Sequence, residues 1–72
     1  MKSDARHDFG ARLREVRVER GLSQEDLAFA AKLHRTYVGG IERGERNPSL
    51  VNVVRLARAL GMTPSELLEG VR

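Results

Sequence analysis

Apolar residues recur at intervals of three and four along most of this chain, which is the spacing of one buried helix face. No stretch alternates apolar and polar residues with the period of two that a half-buried strand requires. Glycines and polar clusters divide the apolar pattern into five segments. The pattern therefore predicts an all-α fold of five helices without strands.

The first helix is predicted from about Asp8 to Arg20, and its buried stripe consists of Phe9, Leu13 and Val16. Gly21 ends this helix, because the left-handed conformation after a helix end costs glycine nothing. Val18 lies off the stripe and is expected to be exposed. A polar turn at residues 45–48 precedes a fourth helix that ends at Gly61 and is marked by Leu50, Val53, Val54, Leu56, Ala57 and Leu60.

Two other helix starts carry capping signals. Ser23 is followed three residues later by Asp26, which is a weaker form of the capping box. The same arrangement recurs at Thr63 and Glu66, with Pro64 at the first helical position. These signals predict the starts of the second and fifth helices.

Residues 24–44 read as two short helices joined by a tight turn, the second beginning near Arg35. Each helix has an apolar stripe that faces one core. The stripe of the first helix consists of Leu27, Ala28 and Ala31, and that of the second consists of Ile41 with Tyr37 or Val38. Leu33 fills the corner between the two helices. This is the spacing of a helix-turn-helix. It leaves His34, Arg35 and Thr36 outward, where they suit a DNA major groove.

Composition is consistent with one small DNA-binding domain. The chain has 72 residues, 40% of them apolar, with a net charge of +3. Eleven of its thirteen cations are arginines, whose planar forks suit phosphate and guanine, although an arginine-rich surface can also be merely solvated. We expect residues 1–7 to form a flexible tail and residues 8–72 a single domain.

The absence of cysteine excludes a disulfide framework, a cysteine-based zinc site and a thiol nucleophile. No apolar stretch reaches the length of a signal sequence or a membrane span. We therefore expect a cytoplasmic protein without membrane contact.

The segments GLSQEDLA, RTYVGGIERG, RNPSL and RLARALGMTPSELL resemble, in order and spacing, the XRE or Cro/cI-like family of repressors. The resemblance covers about residues 9–68 and looks closest to the controller proteins of restriction-modification systems. It implies a compact five-helix, lambda-repressor-like domain whose second and third helices form the helix-turn-helix. It also implies a homodimeric transcriptional regulator, repressor or activator, that binds a pseudo-palindromic double-stranded operator.

The resemblance implies roles for particular side chains. Base edges would be contacted by Arg35, Thr36 and Arg46, and phosphates by Gln24, Arg43, Tyr37 and His34. Arg46 could also clamp a phosphate, Tyr37 could instead only pack, and His34 could be a solvated residue without a role.

The resemblance also implies structural contacts and partners. Arg17 and Glu42 match positions that form an ion pair between the first and third helices. Helices four and five would form the dimer interface, where Val51, Leu68 and Val71 lie beyond the predicted core, although ordinary surface exposure would also explain these residues. We expect no cofactor, metal or small-molecule ligand, and RNA polymerase is a candidate additional partner.

The chain departs from the family pattern at several positions. Gly39 and Gly40 lie within the recognition helix, where relatives often carry base-reading side chains. A close approach of bare backbone to DNA would explain the pair, and a tolerated distortion of the last turn is the alternative. Lys32 replaces a common turn glycine, and His34 replaces a capping residue. Phe29 lies off its stripe and is expected to be either half-buried against a neighbour, which is the commoner case, or an exposed contact.

Three alternative functions fit the sequence less well. A toxin-neutralising regulator uses the same fold with an added toxin-binding segment, and we see no spare stretch for one. A protein-interaction module that has lost DNA binding is disfavoured by Arg35, Arg43 and Arg46. An enzyme has the least support, because two isolated histidines and the lack of a metal-ligand cluster leave no recognisable catalytic arrangement.

Overall fold

A computed structural model describes residues 4–72 as five α-helices, with no strand in that range. Their bounds are α1 Ala5–Glu19, α2 Gln24–Ala31, α3 Arg35–Glu42, α4 Leu50–Ala59 and α5 Pro64–Leu67. The predicted all-α class is confirmed. None of these helices is long and apolar enough to cross a lipid bilayer.

The first helix begins earlier than predicted, at Ala5 instead of Asp8. The reason is a local cap, since an Asp4 carboxylate oxygen accepts a hydrogen bond from the backbone N–H of Arg6 at 2.9 Å. The predicted flexible tail is therefore wrong for residues 5–7, which are helical, and its first three residues lie outside the described part of the chain.

The two predicted capping boxes are confirmed. Ser23 accepts from the N–H of Asp26 while Asp26 accepts from the N–H of Ser23. Thr63 and Glu66 exchange the same pair of bonds at the start of α5. A further cap was not predicted: the Ser49 hydroxyl accepts from the N–H of Asn52 at 3.1 Å and starts α4.

All five helices contribute to one core. Its centre consists of side chains with no measurable exposure, namely Leu13, Leu27, Val38, Ile41, Leu56, Ala57 and Leu67. Because α1 and α2 pack against the apolar side of α3, this helix is held firmly while its other side remains in solvent.

Arginines of α1 tie it to the ends of later helices. Arg20 donates to the carbonyl of Leu60 at 2.6 Å, and Arg12 donates to the carbonyl of Glu66 at 2.8 Å. Leu60 is the C-cap of α4 and Glu66 lies near the end of α5, so both bonds are made at helix ends, where carbonyls lack the N–H of a fourth following helical residue. They fix α4 and α5 against α1.

Gly10 allows α1 to contact the end of α3 directly. A methyl group placed on Gly10 would collide with the carbonyl oxygen of Ile41 and would lie 2.7 Å from that of Glu42. These are backbone atoms that cannot swing away. Gly10 therefore sets the crossing distance between α1 and the recognition helix, a role that was not predicted.

Phe29 is not half-buried but takes the second of its two expected positions, because 86% of its surface is exposed. The helix α2 has only eight residues and buries the face that carries Leu27, Ala28 and Ala31. Phe29 lies on the opposite side. Val18, by contrast, is exposed as predicted.

Candidate nucleic-acid interface

The turn between α2 and α3 is closed without a glycine. Lys32 takes the left-handed conformation, with φ of 60°, and the N–H of Leu33 donates to the carbonyl of Ala28 at 2.8 Å. Leu33 packs against the core and fixes the angle between the two helices. His34 then occupies the N-cap of α3 with no capping bond from its side chain, as its chemistry predicted.

The first turn of α3 carries two of the three predicted base-contacting residues. Arg35 and Thr36 are both exposed, whereas Val38 and Ile41 on the other side of the helix are fully buried. No hydrogen bond or ion pair within residues 4–72 engages the Arg35 guanidinium. Its five donors are therefore available to a ligand.

Tyr37 joins the recognition helix to the first turn of α4. Its ring is partly buried against the core, and its hydroxyl oxygen accepts a hydrogen bond from the Asn52 side-chain amide at 3.0 Å. The hydroxyl hydrogen then points elsewhere, so Tyr37 both packs and keeps a donor for an outside group. The participation of Asn52 was not predicted, because it depends on a contact between residues of different helices.

Gln24, at the start of α2, is held by Glu42. Its amide nitrogen donates to a Glu42 carboxylate oxygen at 3.0 Å. The same carboxylate accepts from Arg17 Nε at 2.6 Å and from Arg17 Nη2 at 3.0 Å. Gln24 thus belongs to the network that ties α1 to α3, and its amide nitrogen carries a second hydrogen that can be donated to another acceptor.

The Arg17 guanidinium and Glu42 carboxylate form a largely buried pair, with 10% and 2% of their side chains exposed. The hydrogen bond to Glu42 raises the pKa of Arg17, which keeps it charged. The third guanidinium nitrogen, Nη1, donates to the carbonyl of Leu22 at 2.8 Å. A pair so completely hydrogen-bonded fixes geometry more than it adds stability.

Arg43 and Arg46 follow the recognition helix. Arg43 pairs with Glu45 at 3.1 Å, but both side chains are more than half exposed, so releasing Arg43 to a phosphate costs little. Arg46 has no ion pair among the described residues. It lines an open hollow together with His34, Thr36 and Tyr37, beside the exposed face of α3.

The two glycines of α3 are covered by side chains. A methyl group on Gly39 would meet the end of Arg43, and one on Gly40 would meet the stem of Arg46. Both glycines are helical and buried, so neither the expected bare backbone nor a distorted last turn is present.

Exposed apolar residues occur on α4 and after α5. Leu50, Val51 and Leu68 are 75%, 61% and 39% exposed. Val71 contradicts its predicted place beyond the core, because it is half-buried and packs against that core. It folds back beside Phe9 and Val53, and Leu68 lies at the edge of the same shallow hollow. Leu50 joins the exposed set in its place.

No group of three or more histidine, cysteine or acidic residues within residues 4–72 is arranged to hold a metal ion. The polar side chains gathered around the exposed face of α3 are instead donors, which is the chemistry of phosphate and base-edge recognition.

Comparison with known proteins identifies the same region. A family model described as Helix-turn-helix matches residues 13–67, which include all of α2, α3 and α4. The chain is 46% identical over 70 residues to control protein C.BamHI of Bacillus amyloliquefaciens, covering 96% of this chain and 86% of that protein. It is 43% identical over 70 residues to control protein C.MunI of a Mycoplasma species, covering 96% and 95%.

A solved structure agrees with these sequence relatives. The restriction-modification controller protein C.AhdI of Aeromonas hydrophila superposes with a TM-score of 0.85 at 60% identity. The superposition covers 86% of this chain and 94% of that one. At this identity the likeness extends beyond a shared fold.

Proposed function

Since this chain belongs to the helix-turn-helix family of DNA-binding transcriptional regulators, we propose that it is the controller protein of a restriction-modification system. It binds a pseudo-palindromic operator as a homodimer. Three similar proteins carry control or controller protein in their names, and one of them is named for restriction-modification. In the present chain the proposal rests on one observation above all, the arrangement of α3.

This helix presents unpaired hydrogen-bond donors on one side and is held by the core on its other side. Arg35 and Thr36 are exposed on its first turn, and Val38 and Ile41 anchor its opposite side in the core. A bidentate arginine fork matches the O6 and N7 acceptors of guanine, and a threonine methyl matches that of thymine. These two residues read base edges in the major groove.

The residues that contact phosphates lie around the base-contacting pair, Arg35 and Thr36. Gln24 and Tyr37 each retain one free donor, Arg43 is only loosely paired, and His34 stands exposed at the N-cap. Such contacts set register and affinity without reading sequence. Arg46, in the same hollow as Thr36, reaches either a phosphate or a base edge.

Dimerisation supplies the second half of the site. One eight-residue helix makes few contacts, and two subunits place their recognition helices about 34–36 Å apart in successive major grooves. The exposed Leu50, Val51 and Leu68 provide an apolar surface for this association. RNA polymerase becomes a further partner where the bound dimer activates transcription.

A gel-shift titration tests the proposal. The DNA flanking the protein's own gene, cut into overlapping duplexes, serves as probe, and shuffled duplexes of equal length and composition serve as controls. We expect one or two fragments to bind at least a hundredfold more tightly than the shuffled set at physiological salt. Equal affinity for all duplexes would refute a sequence-specific controller.

A further inference from the structure

We infer that Gly40 is a positioning residue for Arg46: its missing side chain leaves the space in which the Arg46 stem lies against the recognition helix. This inference rests on the proposed DNA-binding role of Arg46. It also replaces the idea that the glycine pair bares the helix backbone toward DNA, because the structure fills both spaces with side chains.

The contact is close and involves the part of Arg46 that has least freedom. A methyl group on Gly40 would lie 2.7 Å from Arg46 Cγ, with Nε and Cδ at 3.6 and 3.7 Å. Carbon atoms in contact are normally at least 3.5 Å apart. Cγ is one bond beyond Cβ, so only rotation about the Cα–Cβ bond can clear it, and that rotation swings the whole guanidinium.

The backbone of Arg46 cannot retreat to relieve such a collision. Its N–H donates to the carbonyl oxygen of Gly40 at 3.2 Å, and the N–H of Glu45 donates to the same oxygen at 2.9 Å. Both bonds close the end of α3. The backbone of Arg46 is thereby tied to Gly40, and its side chain lines the hollow together with Thr36 and Tyr37.

Gly39 provides a matched comparison within the same helix. A methyl group there would meet Arg43 Nη1 at 3.1 Å, which is the far end of an exposed and flexible side chain, and Gln24 Oε1 at 3.4 Å. Small movements of these side chains would accommodate it. Both substitutions remove one helical glycine, so they change helix propensity equally and differ in what they displace.

A double-mutant cycle on DNA tests the inference. Fluorescence anisotropy with a labelled duplex from upstream of the gene would compare the parent, Gly40→Ala, Arg46→Ala and the double variant. We expect Gly40→Ala and Arg46→Ala each to weaken binding about tenfold, and the double variant to be no weaker than Arg46→Ala alone. Melting temperatures of Gly39→Ala and Gly40→Ala in the absence of DNA measure the shared propensity change, because a Gly39 methyl also meets Arg43 and Gln24.

Two results would overturn the assignment. Unchanged affinity of Gly40→Ala for DNA would show that Arg46 does not need the space at Gly40. An equal loss from Gly40→Ala with and without the Arg46 side chain would place the added methyl against DNA itself. A parent protein that binds no flanking duplex would instead refute the proposed function.

A measurement on the free protein separates these failures. Nuclear Overhauser effects between the Gly40 Hα atoms and the Arg46 Hγ atoms show whether the Arg46 stem lies against Gly40 without DNA. Side-chain coupling constants give the rotamer of Arg46 about its Cα–Cβ bond. We expect the contacts in the parent and in Gly39→Ala, and a changed Arg46 rotamer in Gly40→Ala. Absence of these contacts in the folded parent would disprove the packing of the Arg46 stem on Gly40.

Discussion

The side-chain amide of Asn52 donates to the hydroxyl oxygen of Tyr37 at 3.0 Å, across the junction of α3 and α4. This bond fixes both the position of the tyrosine ring and the direction of its hydroxyl hydrogen. Asn52 is itself held at the third residue of α4 by the Ser49 cap. The recognition helix therefore receives a donor whose orientation is determined by the next helix.

Removal of that donor is expected to weaken DNA binding without unfolding the protein. Tyr37→Phe keeps the ring in place but loses a hydrogen bond to a charged phosphate, at a cost of about 1.5–3 kcal/mol. Asn52→Ala leaves the donor present but unoriented and should cost less. Salt-matched titrations on flanking and shuffled duplexes measure both, and equal losses on the two DNAs are expected because phosphates carry no sequence.

Arg35 and Arg43 are expected to separate specificity from affinity. Arg35→Ala should cost about 1–3 kcal/mol on the cognate duplex and little on shuffled DNA. Arg43→Ala should weaken both alike and reduce the salt dependence by about one unit of slope. An equal loss for Arg35→Ala on both duplexes would contradict its role as a base reader.

Glu42→Gln is expected to be strongly destabilising. The substitution preserves shape and the acceptor for Gln24, but it leaves the buried Arg17 guanidinium without a counter-charge. The cost should be about 3 kcal/mol in urea unfolding. Glu45→Gln is the matched control, because its exposed pair with Arg43 should contribute less than about 1 kcal/mol. Comparable effects from the two variants would contradict this reasoning.

Val51→Glu is expected to weaken dimerisation while preserving the monomer fold. Val51 is exposed on α4, so the new carboxylate disturbs only a surface that a second subunit would cover. Val18→Glu, on the exposed side of α1, is the control and should leave association unchanged. Sedimentation equilibrium measures both. A parent that stays monomeric at high micromolar concentration would remove the basis for this prediction.

The helix caps are expected to make stability fall at acid pH. The side-chain hydrogen bond with Arg6 lowers the pKa of Asp4 to about 2, and backbone hydrogen bonds from Ser23 and Thr63 lower the pKa of Asp26 and Glu66. Because the unfolded chain then binds more protons, their stabilisation is complete above the ordinary carboxyl pKa of about 4 and is lost below it.

Thermal melts between pH 5 and pH 2 check this dependence. Asp4→Asn keeps an N-cap acceptor but cannot titrate, so its melting temperature should fall less steeply over the range where Asp4 gains its proton. Parallel curves for the parent and this variant would show that Asp4 contributes nothing to the acid transition.

Local signals in the sequence predicted most helix starts. Ser23 and Thr63 announce α2 and α5 because a cap and its acidic partner are three residues apart and need no other part of the chain. Asp4 uses the same chemistry but lacks the acidic residue three positions on, so the early start of α1 was missed. Ser49 was missed for the same reason, since Asn52 stands at that position.

Features that depend on contacts between helices could not be predicted from spacing. The direction of the Phe29 ring depends on how α2 rolls against α3 and α4, and nothing within eight residues fixes that roll. The burial of Val71 depends on the chain folding back over α1 after a left-handed Gly70, with φ of 84°. The spacing was enough to place Arg35 and Thr36 outward, but separate base and phosphate roles for individual side chains required a family pattern, because their chemistry fits either partner.

The contact at Gly10 sets how closely α1 packs behind the recognition helix, α3. With only hydrogen atoms between Gly10 and the carbonyls of Ile41 and Glu42, the two helices cannot come closer. Close-packed protein interiors barely compress, so even one methyl group added at Gly10 would displace α3 outward. If Arg35 and Thr36 enter a groove as proposed, the depth of their entry is thus set from behind α3, at a buried residue of α1.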